Sequence, residues 1–243
     1  MDGVVDIEKA RELVGNAALW PRVRDFLWDF AAQVHESWLD GSVVSWSGIE
    51  KADRSSSHPT AQPTDYTTTQ PPSWRIKKFI LDSLGVEPCF HDFPKDDGSH
   101  IALLDGATLL EVAKWLGALA YAEDLRKVTD GATVRALKAA LPGVYPEVFG
   151  YTAYFGGLDS ILTSCRDAEA QKVDERVVLT GYEILVSALA GLPAPLVSRL
   201  KFKFPKTLCD SASPREMKGA VVLPAILKLL KLKFPEAYAL CSS

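Results

Sequence analysis

The chain has 243 residues, of which 47% are hydrophobic and 24% charged, and its formal net charge is -4. This length allows one large domain, or a domain with an appendage, whose core needs no disulfide or metal support. Because the neutralisation of phosphates needs a clustered excess of lysine and arginine, the acidic balance argues against broad nucleic-acid binding.

The cysteines and the apolar runs indicate the cellular compartment of the protein. Cys89, Cys165, Cys209 and Cys241 are widely spaced and include no CxxC pair, a pattern that favours a reduced, cytoplasmic protein. The amino terminus is acidic from its second residue, which is not typical of a secretory signal. The longest uncharged apolar runs, residues 115–122 and 219–227, are far shorter than the roughly 20 residues that cross a bilayer. We therefore expect no direct membrane insertion.

The amino-terminal part predicts helices. A first short helix is predicted over residues 4–14, and Pro21 suits the first turn of a second. An apolar stripe at intervals of three and four predicts that this second helix continues to Trp38; its members are Val23, Phe26, Leu27, Phe30, Ala31, Val34 and Trp38. Residues 1–50 are thus predicted to be a helical segment that packs on the main body.

A change of composition follows at residues 51–73, which are rich in serine, threonine, glutamine and proline. Such a stretch buries too little apolar surface to offset the entropy of ordering it, so it is predicted to be a flexible linker or loop. It either lets the first helices dock and detach as a unit or is a simple insertion. The main helical domain is predicted at residues 74–243.

The predicted core helix covers residues 108–128. Thr108 and Glu111 have the spacing of a capping box, which predicts the start of the helix. No charged residue occurs from 115 to 122, so we expect a spine through Trp115 and Leu119 that other helices cover on all sides. Small residues such as Gly117 are expected to let neighbouring helices come close.

Further helices are predicted after the core helix. Asp130 or Thr129 begins one that Pro142 ends, and Asp174 begins another. The heptapeptides RLKFKFP (199–205) and LLKLKFP (229–235) are read as helix ends, although their alternation equally fits a short strand. Core packing is the favoured role of an aromatic cluster made of Tyr145, Phe149, Tyr151, Tyr154 and Phe155. The predicted fold class is all-α, a single irregular multi-helix domain.

One set of residues has the types that bind metals: Cys89, His91, Asp92 and His100. Their spacing matches no zinc motif, and the surrounding sequence is typical of a solvated loop. Phosphate-binding, nucleophile-elbow and zinc-protease motifs do not occur. We therefore expect no enzyme, no cofactor and no metal; a helical metal-dependent enzyme that uses the Cys89–His100 region remains an alternative.

The run WLGALAYAEDLRKV (115–128), followed by ATVRALKAALPGVYPEVFGY (132–151), resembles the YscK/SctK proteins of bacterial type III secretion systems. RLKFKFP and the basic, leucine-rich end of the chain are similar to the end of that family, so the resemblance extends over roughly residues 103–241.

The resemblance implies a cytoplasmic, non-enzymatic adaptor of the sorting platform, peripheral to the inner membrane through the secretion apparatus. Family members link the inner-membrane ring protein SctD to the pod protein SctQ, which leads to SctL and the ATPase SctN. A secretion chaperone or regulator is the alternative.

Candidate partner contacts lie where the core helix emerges into solvent and on the lysine-bearing terminal helix: Glu123, Asp124, Arg126, Lys127, Lys228 and Lys231. Simple solvation of helix ends explains these charges equally well.

Overall fold

The computed structural model describes residues 14–38, 81–86, 91, 93–94, 98–155, 173–212 and 219–242. These residues form helices and turns without a strand, which confirms the all-α class. The α-helices in chain order are α1 (Trp20–Trp28), α2 (Gly106–Ala120), α3 (Ala122–Lys127), α4 (Gly131–Ala140), α5 (Val173–Ala188), α6 (Ala194–Phe202), α7 (Lys206–Ser211), α8 (Gly219–Lys233) and α9 (Pro235–Ser242). Short 3-10 helices occupy Phe30–Gln33, Glu36–Trp38, Ser99–Leu103, Glu147–Gly150 and Thr152–Tyr154.

The core helix begins earlier than predicted. Asp105 is the N-cap of α2, and its carboxylate accepts hydrogen bonds from the backbone N–H of Thr108 at 2.8 Å and from the Thr108 hydroxyl at 2.8 Å. The prediction of Thr108 as the capping residue is therefore wrong. Aspartate caps a helix as well as threonine does, and here it satisfies the orphan amide that Thr108 itself contributes.

The core helix also ends earlier than predicted. Its regular turns stop at Ala120, and Tyr121 (φ -93°, ψ 10°) separates α2 from the six-residue α3. Trp115 and Leu119 are buried, as the predicted spine requires. The charged residues after the break therefore belong to a separate short helix and not to the end of the spine.

Helix α2 packs against α5 at a crossing made by two glycines. A Cβ atom at Gly117 would lie 1.8 Å from the carbonyl oxygen of Val177, and one at Gly181 would lie 1.7 Å from that of Ala113. Only glycine fits such a close approach of two backbones. The expected role of Gly117 is thus confirmed, and Gly181 is its counterpart on α5.

The amino-terminal segment, residues 14–38, lies against α6 and the turn after it. The backbone N–H of His35 donates to the Phe202 carbonyl at 2.8 Å, and the Trp38 indole N–H donates to the Phe204 carbonyl at 2.8 Å. The predicted continuous helix to Trp38 is wrong, because α1 ends at Trp28 and Val34 is extended. The stripe is nevertheless buried from Val23 to Val34.

The heptapeptide RLKFKFP belongs to helices. Helix α6 ends at Phe202, and Pro205 is the N-cap of α7, so the alternative of a short strand is excluded. Asp130 caps α4 and accepts from the Thr133 N–H at 2.7 Å, and α4 ends at Ala140, ahead of Pro142. Both of these predicted boundaries are confirmed.

Several predictions fall outside the described residues. These are most of the first helix (residues 4–14), the linker (51–73), Cys89 and Asp92. The predicted division into residues 1–50, 51–73 and 74–243 stays a prediction.

Candidate partner-binding surfaces

Helix α3 presents a short row of paired charges to solvent. Arg126 lies 3.2 Å from Glu123, and Lys127 lies 3.5 Å from Asp124, each pair one helical turn apart. The Lys127 side chain is 73% exposed. Exposed pairs of this kind add little stability, so breaking them to form ion pairs with a partner costs little free energy.

Arg126 also holds α3 against the aromatic segment, which we define as residues 145–155. Its guanidinium donates to the Phe149 carbonyl at 3.2 Å and to the Thr152 hydroxyl at 2.9 Å. The same group lies 5.5 Å from the centroid of the Phe149 ring. Of the charges predicted on α3, Arg126 therefore has a structural role of its own.

Lys228 of α8 approaches the same segment. Its ammonium group donates to the Tyr154 carbonyl at 2.7 Å and lies 5.6 Å from the centre of the Phe155 ring. Lys231 is exposed and lies 5.8 Å from the Tyr238 ring of α9. Arg126 of α3 and Lys228 of α8 thus contact the aromatic segment from different helices, and Tyr154, 57% exposed, lies beside Lys228.

Lys233, a lysine of the basic terminal helix that was left out of the predicted partner contacts, contacts both this segment and α2. Its ammonium lies 2.6 Å from the Glu147 carboxylate, 4.4 Å from the Trp115 ring centre and 4.3 Å from that of Tyr151. Burial by itself lowers the pKa of Lys233, but the hydrogen bonds with Glu147 and Tyr151 outweigh it and raise the pKa above its ordinary value. The sequence held one indication of this contact: the aromatic cluster contains no lysine or arginine, and a lysine-bearing helix follows later in the chain.

Lys203 is a buried cation that sequence reasoning also missed. It is 2% exposed, and its ammonium donates to the carbonyls of Ala102 at 2.7 Å and Leu104 at 2.8 Å. The Phe26 ring of the amino-terminal segment lies 4.7 Å away. Burial lowers the pKa of Lys203 to about 7, although the nearby Asp105 carboxylate opposes that shift.

The candidate metal ligands have packing roles where the structure describes them. His100 is 2% exposed, and its Nε2 donates to the Phe93 carbonyl at 2.7 Å. The His91 ring stacks edge-on to Phe93 at 5.0 Å. The expectation of a solvated loop is thus wrong for His100, because that residue lies in a buried 3-10 helix.

Two further features are absent from the described part of the chain. No group of three or more histidine, cysteine, aspartate or glutamate side chains there is arranged to hold a metal ion. Within the same residues, no helix combines the length and the apolar character that a membrane span requires.

Part of the chain matches the model of a known protein family. Residues 61–149 match the family model described as YOP proteins translocation protein K (YscK). The match supports membership of the YscK/SctK family. Its described part contains α2, α3, α4 and the start of the aromatic segment. The resemblance predicted for residues 150–241 lies outside the match and stays a prediction.

The YscK match relates the chain to type III secretion. The YscK family is a component of the secretion apparatus and is not a known enzyme family. No curated protein and no solved structure matches the chain.

Proposed function

We propose that this YscK-family chain is a cytoplasmic adaptor of the type III secretion sorting platform. In this role it links an SctD-type protein of the inner-membrane ring to an SctQ-type pod protein, and through that protein it is connected to SctL and the SctN ATPase. The proposal depends chiefly on the YscK match over residues 61–149. It implies a location at the inner membrane that depends on the apparatus.

The fold supports a role as a rigid spacer. The glycine crossing of α2 and α5 fixes two long helices at minimal separation, so these helices cannot slide without steric conflict. A body of this kind can transmit position between two neighbours. Assemblies that exchange subunits use modest, partly polar interfaces, which suits exposed charges better than a large apolar patch.

We assign the first partner contact to α3 and the second to α8. Glu123, Lys127 and Lys231 are exposed, and Asp124 is partly so. Charges at the rim of an interface chiefly set the association rate and its salt dependence. Arg126 and Lys228 contribute by shaping the aromatic segment between these helices.

The test is co-purification of the full chain with the SctQ-type and SctD-type proteins of the same genome. We expect a complex with each of them, and a ternary complex when all three are mixed, measured by size-exclusion chromatography and calorimetry. If the chain bound neither protein, the adaptor role would have to be abandoned.

A charge reversal then locates the contact. Lys127→Glu should weaken binding to one of the two partners by about threefold to tenfold, more at low salt than at high salt, as expected for a rim charge. Lys138→Glu changes another exposed lysine, on α4; it is the matched control and should change neither affinity. Equal effects of the two variants would refute the assignment of α3.

A further inference from the structure

A groove of about 510 Å³ opens between α2, α5 and α7, and none of the charges of α3 and α8 discussed above lines it. Half-buried aliphatic side chains line it: Leu110, Val178, Leu179 and Leu208. Its volume lies within the range of about 300–1,000 Å³ that is common for binding clefts. The groove therefore offers apolar surface that the described part of the chain leaves partly in water.

The charged side chains that line the groove are mainly acidic. Asp174 and Glu175, in the first turn of α5, contribute two carboxylates. They precede Val178 and Leu179 by one helical turn, so each carboxylate lies beside an apolar residue on the same face. The lysine of the lining, Lys114, is neutralised by Glu111 at 2.6 Å. A ligand for this groove needs apolar side chains together with positive charge.

We propose that the groove binds an amphipathic helix of a second protein of the secretion apparatus, with an apolar stripe flanked by lysine or arginine. The stripe fills the space above Leu110, Val178 and Leu208, and the basic flank lies against Asp174 and Glu175. Helices bind in grooves through apolar side chains at intervals of three and four. This inference rests on the proposed adaptor function and adds a recognition mode to it.

The charge of the groove makes the prediction specific. An acidic amphipathic helix would place like charges against the two carboxylates, which is unfavourable in a partly desolvated site. Basic flanks reverse that sign. The groove should therefore bind a basic amphipathic helix more tightly than an acidic one of equal hydrophobicity.

The test uses the full chain with the SctQ-type and SctD-type proteins of the same genome. A photo-crosslinking amino acid at position 208 should crosslink to a basic amphipathic helix of one of them, as mapped by mass spectrometry. The double variant D174K/E175K should weaken that complex at least tenfold. Glu236→Lys is the matched control, since it removes an acidic residue from the first turn of α9, and it should change the affinity less than twofold.

The outcomes separate this inference from the adaptor role. A complex of unchanged affinity in the double variant, without a crosslink, overturns the groove and leaves the adaptor role intact. Crosslinks within the chain itself, or to a second copy of it, overturn the proposed occupant.

If neither apparatus protein binds, the adaptor role fails and a pair of synthetic helical peptides tests the groove alone. The two peptides share one leucine stripe and differ in lysine or glutamate flanks. A tenfold preference for the lysine peptide, lost in D174K/E175K, keeps the groove assignment, whereas equal binding or no binding refutes it.

Discussion

Gly117 and Gly181 face each other where α2 crosses α5, and neither position has room for a side chain. Each would place a Cβ atom less than 2 Å from a backbone carbonyl oxygen of the opposite helix, that of Val177 or of Ala113. The blocking atoms belong to the backbone, so no rotamer change can relieve the conflict. The spacing of the two central helices therefore depends on this pair.

Replacing either glycine by alanine should force the two helices apart. For Gly181→Ala we expect a loss of about 3 kcal/mol or more in the free energy of unfolding, at the upper end of overpacking effects. Urea titration followed by circular dichroism measures it. Gly191→Ala is the control, because a Cβ atom at that position would meet no neighbouring group within 4 Å, and it should change stability by less than about 0.5 kcal/mol. Similar values for both variants would contradict the crossing.

The buried ammonium of Lys203 should make stability depend on pH. Its pKa is about 7 in the folded chain and 10.5 ordinarily, so between these values the unfolded state binds more protons. The free energy of unfolding therefore rises with pH in that range, by about 2 kcal/mol from pH 7 to pH 9 from this group alone. A neutral amine retains two N–H groups for the carbonyls of Ala102 and Leu104, so both hydrogen bonds survive deprotonation.

Lys203→Met isolates this contribution. Between pH 7 and pH 9, the free energy of unfolding of the wild type should rise by about 2 kcal/mol more than that of the variant. Chemical denaturation at both pH values measures the difference. Lys201→Met removes an exposed lysine of the same heptapeptide and should leave the pH profile unchanged. Parallel profiles for the wild type and Lys203→Met would show that the buried ammonium does not titrate in this range.

Lys233 should stabilise the fold more than its neighbour Lys231 does. The change Lys233→Met keeps most of the apolar stem and removes the charge that contacts Glu147, Trp115 and Tyr151. We expect a loss of about 1–2 kcal/mol, chiefly from the two ring contacts, since Glu147 is largely exposed and its ion pair is screened. Thermal denaturation of Lys231→Met provides the comparison, and an equal loss there would disprove the special role of Lys233.

The indole N–H of Trp38 should hold the amino-terminal segment in place. Trp38→Phe removes the hydrogen bond to the Phe204 carbonyl, which contributes about 1 kcal/mol to stability. Hydrogen exchange at the His35 amide should therefore become roughly fivefold faster. Amides of α2 should exchange at unchanged rates. The control is Trp28→Phe, because Trp28 is 58% exposed. Uniform acceleration across the chain would instead indicate global destabilisation.

Local patterns predicted much of the fold because they depend on neighbours in sequence. Asp130 and Pro142 gave the limits of α4, and the uncharged run around Leu119 gave the buried spine. The cap of α2 was missed because Asp105 and Thr108 are both good capping residues, and the backbone decides which of them is used.

The candidate sites were predicted less completely. The charges of α3 were found because a sudden return of polar residues is visible in sequence, but their contact with the aromatic segment was not. The groove combines Leu110, Val178 and Leu208, which belong to three separate helices. No spacing rule joins residues that far apart.

The sequence by itself determined the helical class, the burial of the α2 spine and the family resemblance, since each depends on short-range periodicity or on a local motif. Only the tertiary structure decided that Lys203 is buried, that Gly181 must be glycine and that Lys233 lies against two rings. The physical reason is that burial, close approach and charge pairing are properties of two segments together. In this chain the carbonyl groups that bind Lys203 lie about a hundred residues before it.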